Sequence, residues 1–452
     1  MAQFETRSVF ATNPGPHSVV VADFNHDGKL DLAVASRGSQ FPEVQIFLGK
    51  GDGTFAPPTA YDIGIGEGPL AIADLNHDGN SDLVVVDVDN SVSVLLGNGD
   101  GTFQNPVGYA IGGTGSGIAV GDFNGDGDLD IATTNQYPCY CVSVLLGNGD
   151  GTFQQTSVVT FVPTILMNGL ALGYFNHDRG PDLAIIGNSN NQGRVQILLG
   201  NGDGTFRIGD GYQVTAESFT IIATDLRKNG KTDLAVAEFE GPGVAVLLGN
   251  GDDGTFLQPV VYSMTGAFAV AAADMNGDGL PDLVAASDSL WPANVGILYG
   301  NGDGTFQNAL LYPGGNFPEA VAIADFNGDH RLDVAVTDYL GYQEQVLLNT
   351  GVVAFSPSAP LNFKKQQHGT TSLPQTVTLT NTGTTTLKIS SMKIIGQFGM
   401  TSTCGSSVPS GANCSISVTF SPQTQGMKQG TVTILDSASS KPQVIILGGT
   451  GT

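Results

Sequence analysis

Positive charge is scarce in this sequence. Its 17 Lys and Arg stand against 42 Asp and Glu, a formal net charge of -25. Such a surface repels the phosphates of nucleic acid and of anionic lipid, which removes DNA, RNA and bilayer surfaces from the expected partners. Long apolar runs are missing too: nothing approaches the roughly 18 to 20 residues that cross a membrane. The opening Met1-Ala2-Gln3-Phe4-Glu5 has neither the basic nor the apolar region of a signal peptide, so any export signal is expected to have been cut away or never present. Cysteine is limited to 4 residues and tryptophan to 1. Cys139 and Cys141, separated by one residue and with no His or further Cys close in sequence, make a poor zinc site. Charged residues amount to 13% against 40% hydrophobic ones, far from the composition of a disordered chain.

What is abundant is glycine, 63 residues, and repetition. The 452 residues exceed the roughly 250 to 300 at which one core stops growing, so two domains are expected. The string Asp-x-Asn-x-Asp-Gly-x-x-Asp, intact or worn, begins at Asp23, Asp74, Asp122, Tyr174, Asp225, Asp274 and Asp325, at intervals of 51, 48, 52, 51, 49 and 51 residues. Between the copies runs Gly-Asn-Gly-Asp-Gly-Thr-Phe, ending at Phe103, Phe153, Phe206 and Phe306, with variants ending at Phe55 and Phe256.

Each unit divides into four short strands: a small apolar one such as Leu70 to Ala73, a second such as Asp82 to Val86, a third such as Val92 to Leu96, and a fourth starting at the Thr-Phe of the second string. Asn-Gly and Asp-Gly favour tight hairpin turns. Four hairpin-connected strands repeated seven times predict an all-β, seven-bladed β-propeller over residues 1–351. The last repeat stops near Asn349 without a fourth strand, while Phe4 to Thr12 has the pattern of a strand without a blade; the N-terminal strand is expected to complete the last blade.

These repeats resemble the FG-GAP or VCBS repeats of integrin α-chain propellers and of several lectins. The resemblance implies a fold and little about activity, because the same propeller serves adhesion proteins, lectins and enzymes.

The acidic loop has a chemistry of its own. Side-chain oxygens at positions 1, 3, 5 and 9, with a main-chain carbonyl at position 7, supply the six or seven hard ligands that calcium takes, and glycine at position 6 permits the sharp turn. Complete sets are Asp23, Asn25, Asp27 and Asp31; Asp74, Asn76, Asp78 and Asp82; Asp122, Asn124, Asp126 and Asp130; and Asp274, Asn276, Asp278 and Asp282. The set Asp325, Asn327, Asp329 and Asp333 has His330 at the glycine position, which in a left-handed backbone costs roughly 1 to 2 kcal/mol. Tyr174 with Arg179 and, in the fifth copy, Arg227 remove two loops from the set, the guanidinium of Arg227 being able to balance charge as a cation would. About four to five calcium ions are therefore expected, with a structural role. The alternative is a metal-free turn, since Asn and Asp favour turns anyway. Convergence of several carboxylates on one short loop speaks for the cation. The Asp of the second string is assigned to turn chemistry only.

For catalysis, His26, His77 and His177 occupy position 4 of the loops, taken as an outward turn position, and only His17 is singular. It precedes a first strand, with Glu67, Glu217 and Glu319 in equivalent places, but no nucleophile motif or arginine cluster accompanies it, so an exposed loop histidine is expected. The loops joining second to third strands vary most. They carry Phe41, Tyr137, Tyr140, Phe239, Trp291, Tyr339 and Tyr342 and share the face opposite the acidic loops. Such aromatics suit stacking on sugar or anchoring a protein partner; the alternative is that they cover gaps between blades. Of these, Trp291, Tyr137, Tyr140, Tyr339 and Tyr342 are the candidate ligand contacts.

From about Phe355 the period ends. Val377 and Leu379, then Ile416, Val418 and Phe420, then Val432 and Ile434 alternate with Thr or Ser, the pattern of a half-buried sandwich strand. Residues 355–452 are expected to form an immunoglobulin-like β-sandwich. The stretch Pro374 to Gly383, with the closing Gly448-Gly449-Thr450-Gly451-Thr452, resembles ASH-type or choice-of-anchor D domains, which implies a spacer or attachment role. Cys404 and Cys414 flank a short loop and are expected to form a disulfide; a bond between Cys139 and Cys141 is left open. Together these features predict a secreted or cell-surface protein that binds carbohydrate or an extracellular protein. The alternative is a carbohydrate-active enzyme, a polysaccharide lyase or glycosidase, on the same propeller.

Overall fold

A computed structural model describes residues 4–452 apart from 38–42, 64–65, 88, 155–157, 163–165, 177, 179, 190–191, 240, 252, 265, 288–293, 350–352, 357–360, 382–385 and 438–442. Phe41, His177, Arg179 and Trp291 thus lie outside the described residues. Every regular element among the described residues is a strand. Two compact units emerge, Thr6–Leu348 and Met1–Glu5 with Asn349–Thr452.

The repeats fold into seven antiparallel four-stranded sheets among the described residues, the arrangement that fits a propeller. Second strands such as Asp82–Asp87 are buried along their whole length, with Leu83, Val84, Val85 and Val86 at 0% exposure. Such strands need apolar side chains on both faces, which is why they lack alternation. First strands such as Pro16–Ala22 are half-buried. They pack against one another in chain order, and Pro318–Ala324 of the last repeat also packs on Pro16–Ala22 of the first. Strand Phe4–Ala11 lies beside Gln343–Asn349 in the same sheet.

The fourth strand does not start at Thr-Phe in most repeats. Phe103 makes an isolated bridge to Gly97, and the strand begins only at Val107, as Val107–Ala110. Among the described residues one repeat runs as expected, with Phe206–Gln213. However the fourth strand begins, the string reaches the preceding sheet: the Phe103 ring packs edge-on against Phe24 at 5.3 Å as Phe206 does against Phe123 at 5.7 Å, and Gly101 N donates to Phe24 O at 3.0 Å. Gly151 to Leu75 and Gly204 to Phe123 repeat that hydrogen bond, and Gly53 of the first sheet makes it to Phe326 of the last, at 3.0 Å. The opening glycine of the string is also required, because a Cβ on Gly97 would run into the Ser81 carbonyl.

One column of third-strand residues is fully buried: Val44, Val92, Val142, Val195, Val244 and Val295, each at 0% exposure. The last repeat places Glu344 there, also at 0%, with neither carboxylate oxygen hydrogen-bonded. Burial, and then the charge of Asp338, push its carboxyl well above the usual range.

In the C-terminal unit one sheet joins strands Val353–Ser356, Gln375–Asn381, Asn413–Phe420 and Phe398–Ser402, and a second of five strands includes Gly426–Asp436 and Gln443–Gly451. Val377, Leu379, Ile416, Val418, Phe420, Val432 and Ile434 are all at 0% exposure in its core, as their alternation implies. Cys404 is bonded to Cys414, and Cys139 to Cys141.

Candidate functional site

Each acidic loop links a first strand to a second, and its ninth residue is its anchor. Asp31 is fully buried; its Oδ2 accepts the Phe24 N–H at 2.9 Å and its Oδ1 the Gly49 N–H at 2.7 Å, so one carboxylate ties the loop to the string that closes the same sheet. Asp82, Asp130 and Asp282 repeat both bonds. The first residue folds inward as well: Asp23 accepts from Asp27 N and Gly28 N, and Asn25 Oδ1 also accepts from Asp27 N. Burial raises the ninth carboxyl, with the first- and fifth-position aspartates adding to the rise. Asp130 is pushed up to about 6 and Asp282 to about 7, while Asp31 and Asp82 rise in the same direction.

Among the described residues no three His, Cys, Asp or Glu side chains stand as a ready metal cluster. The complete loops offer Asn as their third-position donor, and their carboxylates are turned onto backbone N–H groups. Those bonds do not exhaust the donors, since an ionised carboxylate has about four lone-pair sites. The fifth loop shows what the ninth position attracts: Arg227 Nη2 and Nε lie 2.6 and 3.1 Å from the two oxygens of buried Asp233, and Nη2 also donates to Gly249 O at 2.8 Å. A cation of the chain itself occupies that place where the third-position Asn is missing. In the last loop Asp325, Asn327, Asp329 and Asp333 keep the shared geometry, and His330 is left-handed at φ 66°, its N–H on Asp325.

Position 4 is also left-handed, at φ 55° for His26 and 58° for His77. These histidines are not merely outward: His26 Nε2 meets Asn80 at 2.9 Å and His77 Nε2 meets Asp128 at 3.3 Å, so each reaches the next loop. The second string is turn chemistry as read: in Asp100 one oxygen accepts both the hydroxyl and the N–H of Thr102, which lowers its carboxyl.

On the face opposite the acidic loops the starts of all seven first strands line a cavity of about 350 Å³. His17 lies there and is not the bare loop residue expected. Its Nδ1 is 2.7 Å from Glu319, which is 5% exposed, and its Nε2 is 3.1 Å from Arg37 Nη2. Arg37, Gln136 and Asn168 of the lining were not legible as site residues, because each sits in a different repeat. Glu217 is held by Asn188 instead, at 2.5 Å.

The variable loops divide. Tyr137 is 72% exposed, Tyr342 51% and Tyr140 37%. Tyr140 and Tyr342 are left-handed, at φ 49° and 51°, a conformation costly for a bulky side chain. Tyr339 packs on Phe317 at 5.8 Å, and Phe239 on Phe219 and Phe268 at 5.6 and 5.5 Å. Those two rings cover gaps between sheets.

Comparison with known proteins agrees with the repeats and the tail. A model of the FG-GAP-like repeat matches residues 23–85, 74–133, 225–285 and 274–336. The ASPM-SPD-2-Hydin model of the ASH domain, described as abnormal spindle-like microcephaly-associated, matches residues 350–444. No curated protein sequence matches the chain. Among solved structures, BBS1N in complex with ARL6DN, soaked with mercury, is similar at TM-score 0.53 and 11% identity, over 76% of this chain and 97% of that one. The lead-soaked form gives 0.49 at 14% identity, over 76% and 96%. The ASH/PapD-like domain 7 of human CEP192 gives 0.18 at 16% identity, over 22% and 85%. Motifs, sheets and family models converge on one description: the chain carries FG-GAP-like repeats followed by a C-terminal ASH domain.

Proposed function

We propose that the chain is a secreted or cell-surface binding module. In this reading it is a seven-bladed β-propeller, closed by its N-terminal strand and stabilised by four to five calcium ions, with the ASH domain as spacer or attachment. Closure is supported by the pairing of Phe4–Ala11 with Gln343–Asn349 and by the Gly53–Phe326 hydrogen bond, which repeats the bond between other neighbouring sheets. Calcium is supported by the hard-oxygen donor sets of five loops and by Arg227 standing where a cation is wanted. Bound there, the ion supplies charge balance to buried carboxylates, and the loop residues hold it. Two disulfides suit an oxidising compartment.

The ligand, carbohydrate or extracellular protein, is assigned to the face opposite the acidic loops. The observation that carries this is the pair of exposed tyrosines, Tyr140 and Tyr342, kept in a backbone conformation that glycine or asparagine adopts at less cost. BBS1N, a relative in fold, is seen in complex with ARL6DN, so a protein ligand stands beside carbohydrate. Catalysis is the second reading, favoured by the His17–Glu319 pair; the Nε2 a general base would use is, however, engaged by Arg37. A glycan-array screen with and without calcium, on the wild type and on Tyr137→Ala and Tyr342→Asn, tests the reading. Binding that both variants weaken supports it, and binding indifferent to both places the ligand elsewhere.

A further inference from the structure

The cavity between the first strands has two unlike walls. One is polar and charged: Glu319 is buried and fixed on His17, and His17 is fixed on Arg37. The amide groups of Gln136 and Asn168 are likewise held in place, donating to Met167 O and Ser218 O, each at 3.0 Å. The opposite wall is aromatic. Phe219 and Phe268 are stacked at 4.8 Å with planes 13° apart, and their packing on Phe239 and Phe317 gives them little freedom.

A ligand for such a space is small, since about 350 Å³ is at the lower end of ligand pockets. It has one apolar side and one rich in groups that both donate and accept. Its charge is constrained too. Arg37 is offset by Glu319, the other lining residues named are neutral, and the whole chain carries -25. An anion gains little there and is repelled on approach.

We propose that this cavity binds a single neutral sugar ring, its C–H face against Phe219 and Phe268 and its hydroxyls toward His17, Arg37, Gln136 and Asn168. The proposal rests on the reading of this face as the binding face, and makes the exposed tyrosines a rim around a deeper subsite. Glu319 acts as a positioning residue: it fixes the Nδ1–H tautomer of His17, whose Nε2 then accepts from Arg37 Nη2 and holds the guanidinium in place at the cavity.

The test uses the whole chain and a panel of methyl glycosides of glucose, galactose, mannose and fucose, with glucuronate and galacturonate as the acidic arm. Binding is followed by the imidazole NMR signals of His17. A saturable shift with at least one neutral glycoside is expected, with affinity at least tenfold weaker in Phe219→Ala and in Arg37→Gln. Melting of each variant is followed in parallel. Should Arg37→Gln unfold, His17→Gln takes its place, read by the neighbouring Phe219 ring signals. Recognition of the uronates alone, or unmoved His17 signals with every neutral glycoside at millimolar concentration, overturns the proposal. Glycan binding lost in Tyr137→Ala and Tyr342→Asn but intact in Phe219→Ala and Arg37→Gln overturns it while the face reading survives. The reverse pattern sustains the cavity and removes the tyrosines.

Discussion

The two faces of the repeat unit obey different rules. On one, the loops from Asp23, Asp74, Asp122, Asp274 and Asp325 use the same residues for the same hydrogen bonds, so whatever they do is done many times. On the other, Arg37, Gln136, Phe239 and Tyr339 each follow a second strand at the same place and share little chemistry. Repetition marks what every sheet needs to stay folded, and its failure marks what one sheet does for the molecule.

That contrast breaks most visibly if chelation does nothing. Removing calcium is expected to lower the melting temperature of the repeat unit and leave the transition of the ASH unit unmoved. Each site at a calcium concentration a hundredfold over its Kd contributes about 2.7 kcal/mol, so four sites outweigh any single substitution. Calorimetry with and without chelator reads this directly. If ligand binding is lost while melting stays put, calcium is a bridge to ligand, not a staple.

Arg227→Ala comes next. It leaves buried Asp233 without its guanidinium, and breaking such a pair costs about 3 kcal/mol. Denaturant unfolding should show that loss, and the double change Arg227→Asn with Asn229→Asp should recover part of it only when calcium is present.

Glu344→Val sharpens the comparison inside the core, by giving the last sheet the residue of the other six. Removing a buried carboxyl without partners is expected to stabilise by about 1 to 3 kcal/mol. The sign with pH follows from its raised carboxyl. The unfolded chain ionises Glu344 near 4.5 and the folded one well above it, so this residue's contribution to stability is most favourable below 4.5 and falls as pH rises. The Val variant should lose that slope, measured as stability against pH from acid to neutral.

The smallest effect concerns the variable face. Tyr342→Asn relieves a left-handed tyrosine and should raise stability by about 1 kcal/mol or less, while weakening ligand binding. A variant that is both less stable and equally adhesive would mean the ring packs rather than binds.

The repeated part of this architecture was legible because each turn carries residues that only its geometry explains. The ninth-position Asp and the sixth-position Gly are visible in almost every copy. Two features of the same loops were not. That position 4 is left-handed emerges only from φ, because His26 and Lys228 hide a place where Gly125 or Gly277 declares it. The packing of the second string's phenylalanine in another sheet, Phe103 on Phe24, is likewise a contact no local pattern encodes. Glu344 was visible as a break in a valine column, but only once the third strands are aligned by their pairing, Ala35 with Val44 and Thr337 with Glu344. The cavity was hidden for a simpler reason: His17 and Glu319 are 302 residues apart and meet only when the last sheet comes beside the first.

Calcium located by anomalous scattering, with elemental analysis of the dialysed protein, tests the difference between the faces most directly. Four ions are expected, at the loops beginning Asp23, Asp74, Asp122 and Asp274, with a weaker fifth at Asp325 and none beside Tyr174 or Arg227. Fewer than three ions, or density on Asn229 beside Arg227, would contradict the account.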